Sequence, residues 1–134
     1  MSNETEKITI NLGVVDLAQV DVLVEQGLYA NRSDFIRTAI RKDLESHKET
    51  IERAAKLAYD KPDWGWFLGI SNISRKTLEE YVENGRKMKL SGVGMLVVDK
   101  SIDAELFEKA VERVVVRGKL VADKEIRKII DGMK

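Results

Sequence analysis

The chain has no cysteine, one proline and one histidine among its 134 residues, and its formal net charge is zero. Without cysteine it forms no disulfide and offers no thiolate for chemistry, which fits a reducing cytoplasm. Balanced charge gives no overall attraction to nucleic acids or membranes, so a polyanion must bind locally. No run approaches the roughly 20 apolar residues that span a bilayer, and the polar beginning MSNETEK lacks the apolar core of a signal peptide. We therefore expect a cytoplasmic protein that does not bind membranes.

Residues for catalysis or metal binding are also scarce. The single histidine, His47, follows Asp43 by four residues, and this spacing is more typical of an exposed helical histidine than of a metal ligand or a pH switch. No Ser-His-Asp set and no cluster of metal ligands stands out. The GVG of residues 92–94 lacks the third glycine of a dinucleotide loop, so it favours a strand with close packing or a bulge. The sequence predicts no enzyme, no cofactor and no metal site.

The segment EKITINL, Glu6 to Leu12, alternates apolar and polar residues as a β-strand does. No second strand follows closely, and an isolated strand of this size is not stable in water. The residues that come next have a helical pattern. The sequence therefore predicts that the partner strand comes from a second copy of the chain, in an obligate homodimer.

Two helices are predicted after this strand. The first covers Val15 to Gly27, where glycine provides a stop. The second begins at Ser33, a candidate cap, and its apolar face continues to Tyr59, with a polar interruption at ESHKET where it could bend. Pro62 disfavours helix in the residue before it. We therefore place a domain boundary there, with residues 1–60 before it and residues 61–134 after it.

The second part of the chain contains a repeat. GMLVVDK at residues 94–100 recurs as GKLVADK at residues 118–124, and Gly69 begins a weaker match 25 residues before Gly94. Each glycine is taken to open a unit in which a strand leads into a helix, such as IDAELFEKAVERV or KEIRKIIDGM. Two arrangements remain open, a short solenoid-like stack of β-α units and a small α/β domain with a duplicated β-α element. Both have exposed strand edges that need a cover or a partner.

The polar face of the first strand offers groups that recognise DNA bases. Lys7 can donate to guanine, Asn11 can pair with adenine, and Thr9 can use its hydroxyl or its methyl group. Paired antiparallel with its twin, the strand would form a two-stranded ribbon that fits the major groove. The alternative from these residues alone is an ordinary solvated sheet face.

Residues 7 to about 44 resemble the ribbon-helix-helix family of transcription factors. The similarity is carried by KITINL, by the length of the first helix, by the glycine turn and by NRSDFIRTAIRKDL at the second helix. It implies an intertwined β-α-α dimer in which Lys7, Thr9 and Asn11 contact DNA bases. It also implies that backbone N–H groups at Asn31, Arg32 and Ser33 anchor DNA phosphates, and a helix N-terminus is independently an anion site. Residues 1–59 hold eight basic and ten acidic residues, which departs from the basic surface expected of a DNA-binding domain.

The predicted fold class is therefore α+β, a ribbon-helix-helix dimer followed by a small α/β domain with repeated β-α units. The predicted function is a sequence-specific regulator of transcription, acting as a repressor on double-stranded DNA. The C-terminal part is expected to join dimers into tetramers or larger species, or to bind a ligand near Trp64 and Trp66. The alternative function is an antitoxin that binds a toxin partner, but antitoxin tails are commonly disordered when free, and the C-terminal sequence is apolar enough to fold unaided.

Overall fold

The computed structural model describes residues 5–133, which contain six helices and three strands. The chain divides into two compact units, residues 1–48 and residues 49–134. The division falls in the first turn of α3, whereas the sequence places the boundary at Pro62. The elements, in chain order, are α1 (Val14–Glu25), α2 (Arg32–Ser46), α3 (Lys48–Tyr59), β1 (Gly65–Ile73), α4 (Arg75–Glu83), β2 (Met88–Val98), α5 (Ala104–Ala110), β3 (Val111–Val121) and α6 (Lys124–Asp131).

The first unit consists of α1, α2 and the segment before them. Residues 5–13 are exposed and belong to no helix and no strand ladder within the single chain. Helix α1 ends as the sequence predicts. Gly27 has a φ of 81°, its N–H donates to the carbonyl of Val24, and the N–H of Leu28 donates to the carbonyl of Leu23. This pair of bonds is the Schellman motif, which turns the chain out of α1 toward α2.

The second predicted helix differs from the observed one in two ways. Its N-cap is Asn31, not Ser33, because the Asn31 side chain accepts the backbone N–H of Asp34. The helix is also not continuous to Tyr59. It stops at Ser46, and α3 restarts at Lys48 after His47, whose φ of −106° leaves the helical range. The break lies in the polar stretch ESHKET, where no apolar side chain packs to hold a long helix straight.

The second unit is built on a parallel sheet with the strand order β1-β2-β3. Each strand leads into a helix, and α5 contacts both α4 and α6. The chain therefore forms three consecutive β-α units, and the weak third repeat near Gly69 is a genuine strand. The predicted helix IDAELFEKAVERV is wrong after Ala110, because the residues from Val111 onward pair with β2. The valines of this stretch favour a strand.

Glycine stands at the same level in all three strands. Gly69 pairs with Gly94, and Gly94 pairs with Gly118. A Cβ atom on Gly94 would lie 1.9 Å from the carbonyl oxygen of Gly69, and one on Gly118 would lie 1.9 Å from that of Gly94. The glycines thus lie in the middle of the strands. The sequence suggested that they open the units, and that position is wrong. Gly94 and Gly118 each let the backbone pass close to the strand before it.

One face of the sheet packs against α4, α5 and α6. The core there contains the fully buried side chains of Leu78, Leu96 and Phe107, with Ile73, Ile102 and Ile126 around them. Gly92 belongs to the same face, since a Cβ atom on it would lie 2.3 Å from the Phe67 ring. The GVG segment is therefore a closely packed strand, as predicted. No helix in the described part of the chain is long and apolar enough to cross a membrane.

Candidate nucleic-acid interface

The residues predicted to contact bases lie in the segment before α1. Lys7, Thr9 and Asn11 are exposed, and so are the apolar residues that alternate with them. Ile8 is 72% exposed and Ile10 is 55% exposed. A β-branched side chain left this open gains free energy when another surface covers it. The alternation therefore leaves one polar and one apolar series, both without a partner in the single chain.

The residues predicted to anchor phosphates lie at the start of α2, where two side chains cap the helix reciprocally. Asn31 Oδ1 accepts the N–H of Asp34 at 2.8 Å, and Asp34 Oδ2 accepts the N–H of Ala30 at 2.9 Å. This arrangement resembles a capping box in which the Asn31 amide takes the role of serine and the Asp34 carboxylate takes the role of glutamate. It fixes the direction in which the chain enters α2.

Arg32 forms a two-point ion pair with Asp21 in the first unit. Its Nε and Nη2 donate to the two carboxylate oxygens of Asp21, each at 2.8 Å, so that the start of α2 is held to the middle of α1. These hydrogen bonds, helped by the charge of the guanidinium, lower the pKa of Asp21, and the same bonds raise the pKa of Arg32. The guanidinium is therefore neutralised within the chain, a partner that sequence analysis missed because no periodic pattern links positions 21 and 32.

Backbone donors remain at this helix start. The N–H groups of Arg32 and Ser33 have no acceptor among the hydrogen bonds of the described residues. They point from the N-terminal end of a 15-residue helix, where the helix dipole favours an anion. The side chain of Asp34 works against this attraction. The helix start thus offers two backbone donors, while its side chains add no net positive charge.

The first unit buries few of its apolar side chains. Among its described residues only Val20 is a buried hydrophobic residue. The large apolar side chains that stay exposed are Ile8, Ile10, Leu12, Val14, Val15, Val22, Leu28, Ile40 and Leu44. They occur on the N-terminal segment, on both helices and on the turn between them. So many exposed large apolar side chains in so small a unit favour association with another surface.

The other candidate sites offer fewer groups that could bind a ligand or a metal ion. His47 is 61% exposed and lies 3.7 Å from Asp43, and residues 5–133 contain no group of three or more potential ligands that could hold a metal ion. Trp64 packs under the Lys61 ammonium, 4.7 Å from the ring centroid.

A groove of about 430 Å³ lies at the carboxyl ends of the three strands. In this groove the Asp99 carboxylate accepts hydrogen bonds from the backbone N–H and from the hydroxyl of Ser101. These bonds, the backbone one foremost, lower the pKa of Asp99.

Comparison with protein families gives a match over most of the chain. Residues 3–127 match the model of the Ribbon-Helix-Helix transcriptional regulator family, so the match extends through β1, β2 and β3 as well as the first unit. No curated protein and no solved structure matches the chain. Because the family model covers nearly all of the sequence, the chain belongs to the ribbon-helix-helix family of transcriptional regulators.

Proposed function

We propose that the protein is a sequence-specific repressor that binds double-stranded DNA as a homodimer. The observation that carries the proposal is the exposed apolar series of the first unit, together with the family match. In the proposed dimer, residues 6–12 of two chains pair antiparallel, so that Ile8, Ile10 and Leu12 face the helices. Lys7, Thr9 and Asn11 then face outward on a ribbon of a width that the major groove admits.

The second part of the proposal concerns the DNA backbone. The free N–H groups of Arg32 and Ser33 would contact a phosphate at each end of the ribbon. The Asn31 side chain caps the helix and so sets the direction of these donors. Because Asp21 neutralises the Arg32 guanidinium, the contact is made by backbone dipoles, and we expect modest affinity without a strongly basic surface.

The antitoxin alternative receives less support. It relies on a tail that wraps a toxin and is commonly disordered when free. Residues 49–134 instead form a unit with its own buried core. We therefore retain the regulator as the proposed function. Binding of a co-expressed small toxin, with loss of its toxicity, would favour the alternative.

The test separates base contacts from the rest of the surface. A duplex site is first selected from a random pool with the wild-type protein, and binding to it is compared with binding to an unrelated duplex. Thr9→Ala and Asn11→Ala are expected to weaken binding to the selected site by about 1–3 kcal/mol and to leave binding to the unrelated duplex unchanged. Thr50→Ala, on the exposed surface of α3, is the matched control. Equal affinities of Thr9→Ala, Asn11→Ala and Thr50→Ala for the selected site would refute the ribbon interface.

A further inference from the structure

The sheet of the second unit has a face that lies opposite the core and its helices, and we name it the basic face. The strand register places alternate residues of the three strands on it. They are Trp66, Leu68, Ile70 and Asn72 of β1, Lys89, Ser91, Val93, Met95 and Val97 of β2, and Arg113, Val115, Arg117, Lys119 and Val121 of β3. Every charged member is a lysine or an arginine. In a chain whose formal net charge is zero, the face is a local concentration of positive charge.

The cations of the basic face are grouped toward one edge of the sheet. Arg113, Arg117 and Lys119 follow one another along the edge strand β3, and Lys89 of β2 pairs with Arg113 in the register. At roughly 3.3 Å for each residue, the three positions on β3 extend over about 20 Å. Arg113 and Arg117 are exposed, and neither of them forms an ion pair within residues 5–133. Their charges are therefore open to an anion from solvent. We name this row the cationic strip.

The opposite side of the basic face is apolar. Leu68 is 39% exposed and Ile70 is 56% exposed on β1, and Met95 of β2, which pairs with Ile70, is half-buried. Trp66 is half-buried at the beginning of β1, and its partner in the register, Ser91, is fully buried. That end of the face is therefore the more enclosed one. An apolar strip along β1 and β2 thus runs beside the cationic strip along β3.

Carboxylates surround the basic face without lying on it. Glu49 and Glu52 of α3 line a groove at the β1 edge, which is the edge far from the cationic strip. Glu112 is exposed at the irregular first step of β3, and Asp123 follows the end of that strand. Arg117 stands between these two acids, about 16 Å from Glu112 along the strand. The strip is therefore cationic along its length, with acids only near its ends.

This division of the face matches the chemistry of single-stranded nucleic acid. A single strand carries phosphates on its backbone and exposes the flat faces of its bases. Proteins bind it with a positively charged path for the backbone and with side chains against which the bases stack. Base faces also pack between aromatic and apolar side chains. The cationic strip has the charge for the phosphates, and the apolar strip has the surface for the bases.

Other partners match less of the basic face. In a duplex the bases are stacked inside, so a flat sheet would reach only phosphates and leave its apolar strip without a contact. A second copy of the face would bring cations near cations, because the face has no carboxylate to pair with them. An anionic membrane takes up apolar side chains that enter it by about 5–10 Å, whereas Met95 is half-buried and most of Leu68 is covered.

We propose that the basic face binds single-stranded DNA or RNA. Arg113 and Arg117 contact the phosphates, and Leu68, Ile70 and Met95 pack against the bases. These contacts read no base edges, so binding is tolerant of sequence. The site is separate from residues 6–12 and does not depend on the proposed dimer. It gives the protein a second nucleic-acid surface, which differs from the ribbon in the form of nucleic acid that it accepts.

Fluorescence anisotropy with labelled strands of about 12 nucleotides tests the cationic strip in the full chain. A DNA strand and an RNA strand of the same mixed sequence show which of the two is preferred. Arg113→Gln combined with Arg117→Gln is expected to weaken binding at least about tenfold and to reduce the salt slope by about 1.4, at about 0.7 for each phosphate contact. Lys124→Gln combined with Lys128→Gln removes the same charge from exposed positions of α6 and should change affinity by less than about twofold. Equal losses in the two double variants would overturn the proposal.

Ile70→Ser tests the apolar strip, and Leu57→Ser, at a side chain of α3 that is 84% exposed, is its matched control. Ile70→Ser is expected to weaken strand binding by about threefold to tenfold, and Leu57→Ser to leave it unchanged. An unrelated duplex and vesicles of anionic lipid then serve as competitors. Equal effects of the two serine variants, or displacement of the strand by either competitor at equal phosphate concentration, would overturn single-strand binding. Asn11→Ala should leave strand binding intact, so failure of the ribbon and failure of this inference are distinguished.

Discussion

Substituting Gly94 by alanine tests the close approach of the three strands. The new Cβ atom would lie 1.9 Å from the Gly69 carbonyl oxygen and 2.8 Å from its carbonyl carbon. Both contacts are with backbone, so no side chain can rotate away, and the strands must separate by about 1 Å or more to restore normal contact distances. Separation breaks ladder hydrogen bonds along β1 and β2. The φ of 129° adds a strain of about 1–3 kcal/mol for a residue other than glycine.

Gly69→Ala is the matched control for this prediction. Gly69 has a similar φ of 112°, but a Cβ atom placed on it would have no other atom within 4 Å. It therefore suffers the backbone strain without the clash, and we expect a loss of about 1–3 kcal/mol. For Gly94→Ala we expect a loss of more than about 4 kcal/mol, or no folding of the second unit. Urea unfolding followed by tryptophan fluorescence reports on this unit, since both tryptophans, Trp64 and Trp66, belong to it. Similar unfolding midpoints for the two variants would refute the close-approach argument.

Four further outcomes are expected. The melting temperature of the wild-type protein should rise with protein concentration, and a concentration-independent transition of a monomer would contradict the dimer. Asp21→Asn should free the Arg32 guanidinium and steepen the salt dependence of DNA binding by up to about 1.8 per dimer, whereas an unchanged slope would mean that Arg32 does not reach phosphate. Asp21 has a lowered pKa in the folded chain, so its stabilising contribution is present above the unfolded pKa near 3.8 and is lost as pH falls through the lowered value. Acid unfolding of Asp21→Asn should therefore depend less on pH in this range than acid unfolding of the wild-type protein. Ser91→Ala should leave stability unchanged or raise it by up to about 1–2 kcal/mol, because the buried Ser91 hydroxyl has no hydrogen-bond partner among residues 5–133; a clear loss in urea unfolding would contradict this.

The sequence was most informative where a short pattern of residues recurs along the chain. The spacing of Gly69, Gly94 and Gly118 predicted two β-α units and a weaker third, and the register places these glycines side by side. Their position within each unit was wrong, because each glycine was taken to open a unit. Turn formation and close backbone approach select the same residue. The distinction requires the neighbouring strand, which the sequence does not show.

Contacts between distant positions were the part that sequence could not predict. Asn31 could have been identified as the N-cap, since Asp34 follows it by three residues as in a capping box. The pairing of Arg32 with Asp21 has no such signal, because it depends on how α1 and α2 pack around the Gly27 turn. The same holds for the two faces of the sheet. The apolar strands indicate burial on both sides, but only the fold shows that the helices cover one side.

Incomplete burial in the first unit gives a physical reason for the proposed dimer. This unit leaves most of its large apolar side chains exposed, whereas the second unit contains its own buried core. Covering apolar surface is favourable by roughly 25 cal/mol for each Å² that is removed from water. A second copy of the chain carries the same exposed series, so pairing two copies would cover both series at once. In the proposed dimer the ribbon and the helix core therefore form together, and DNA binding depends on the contacts that hold the two chains.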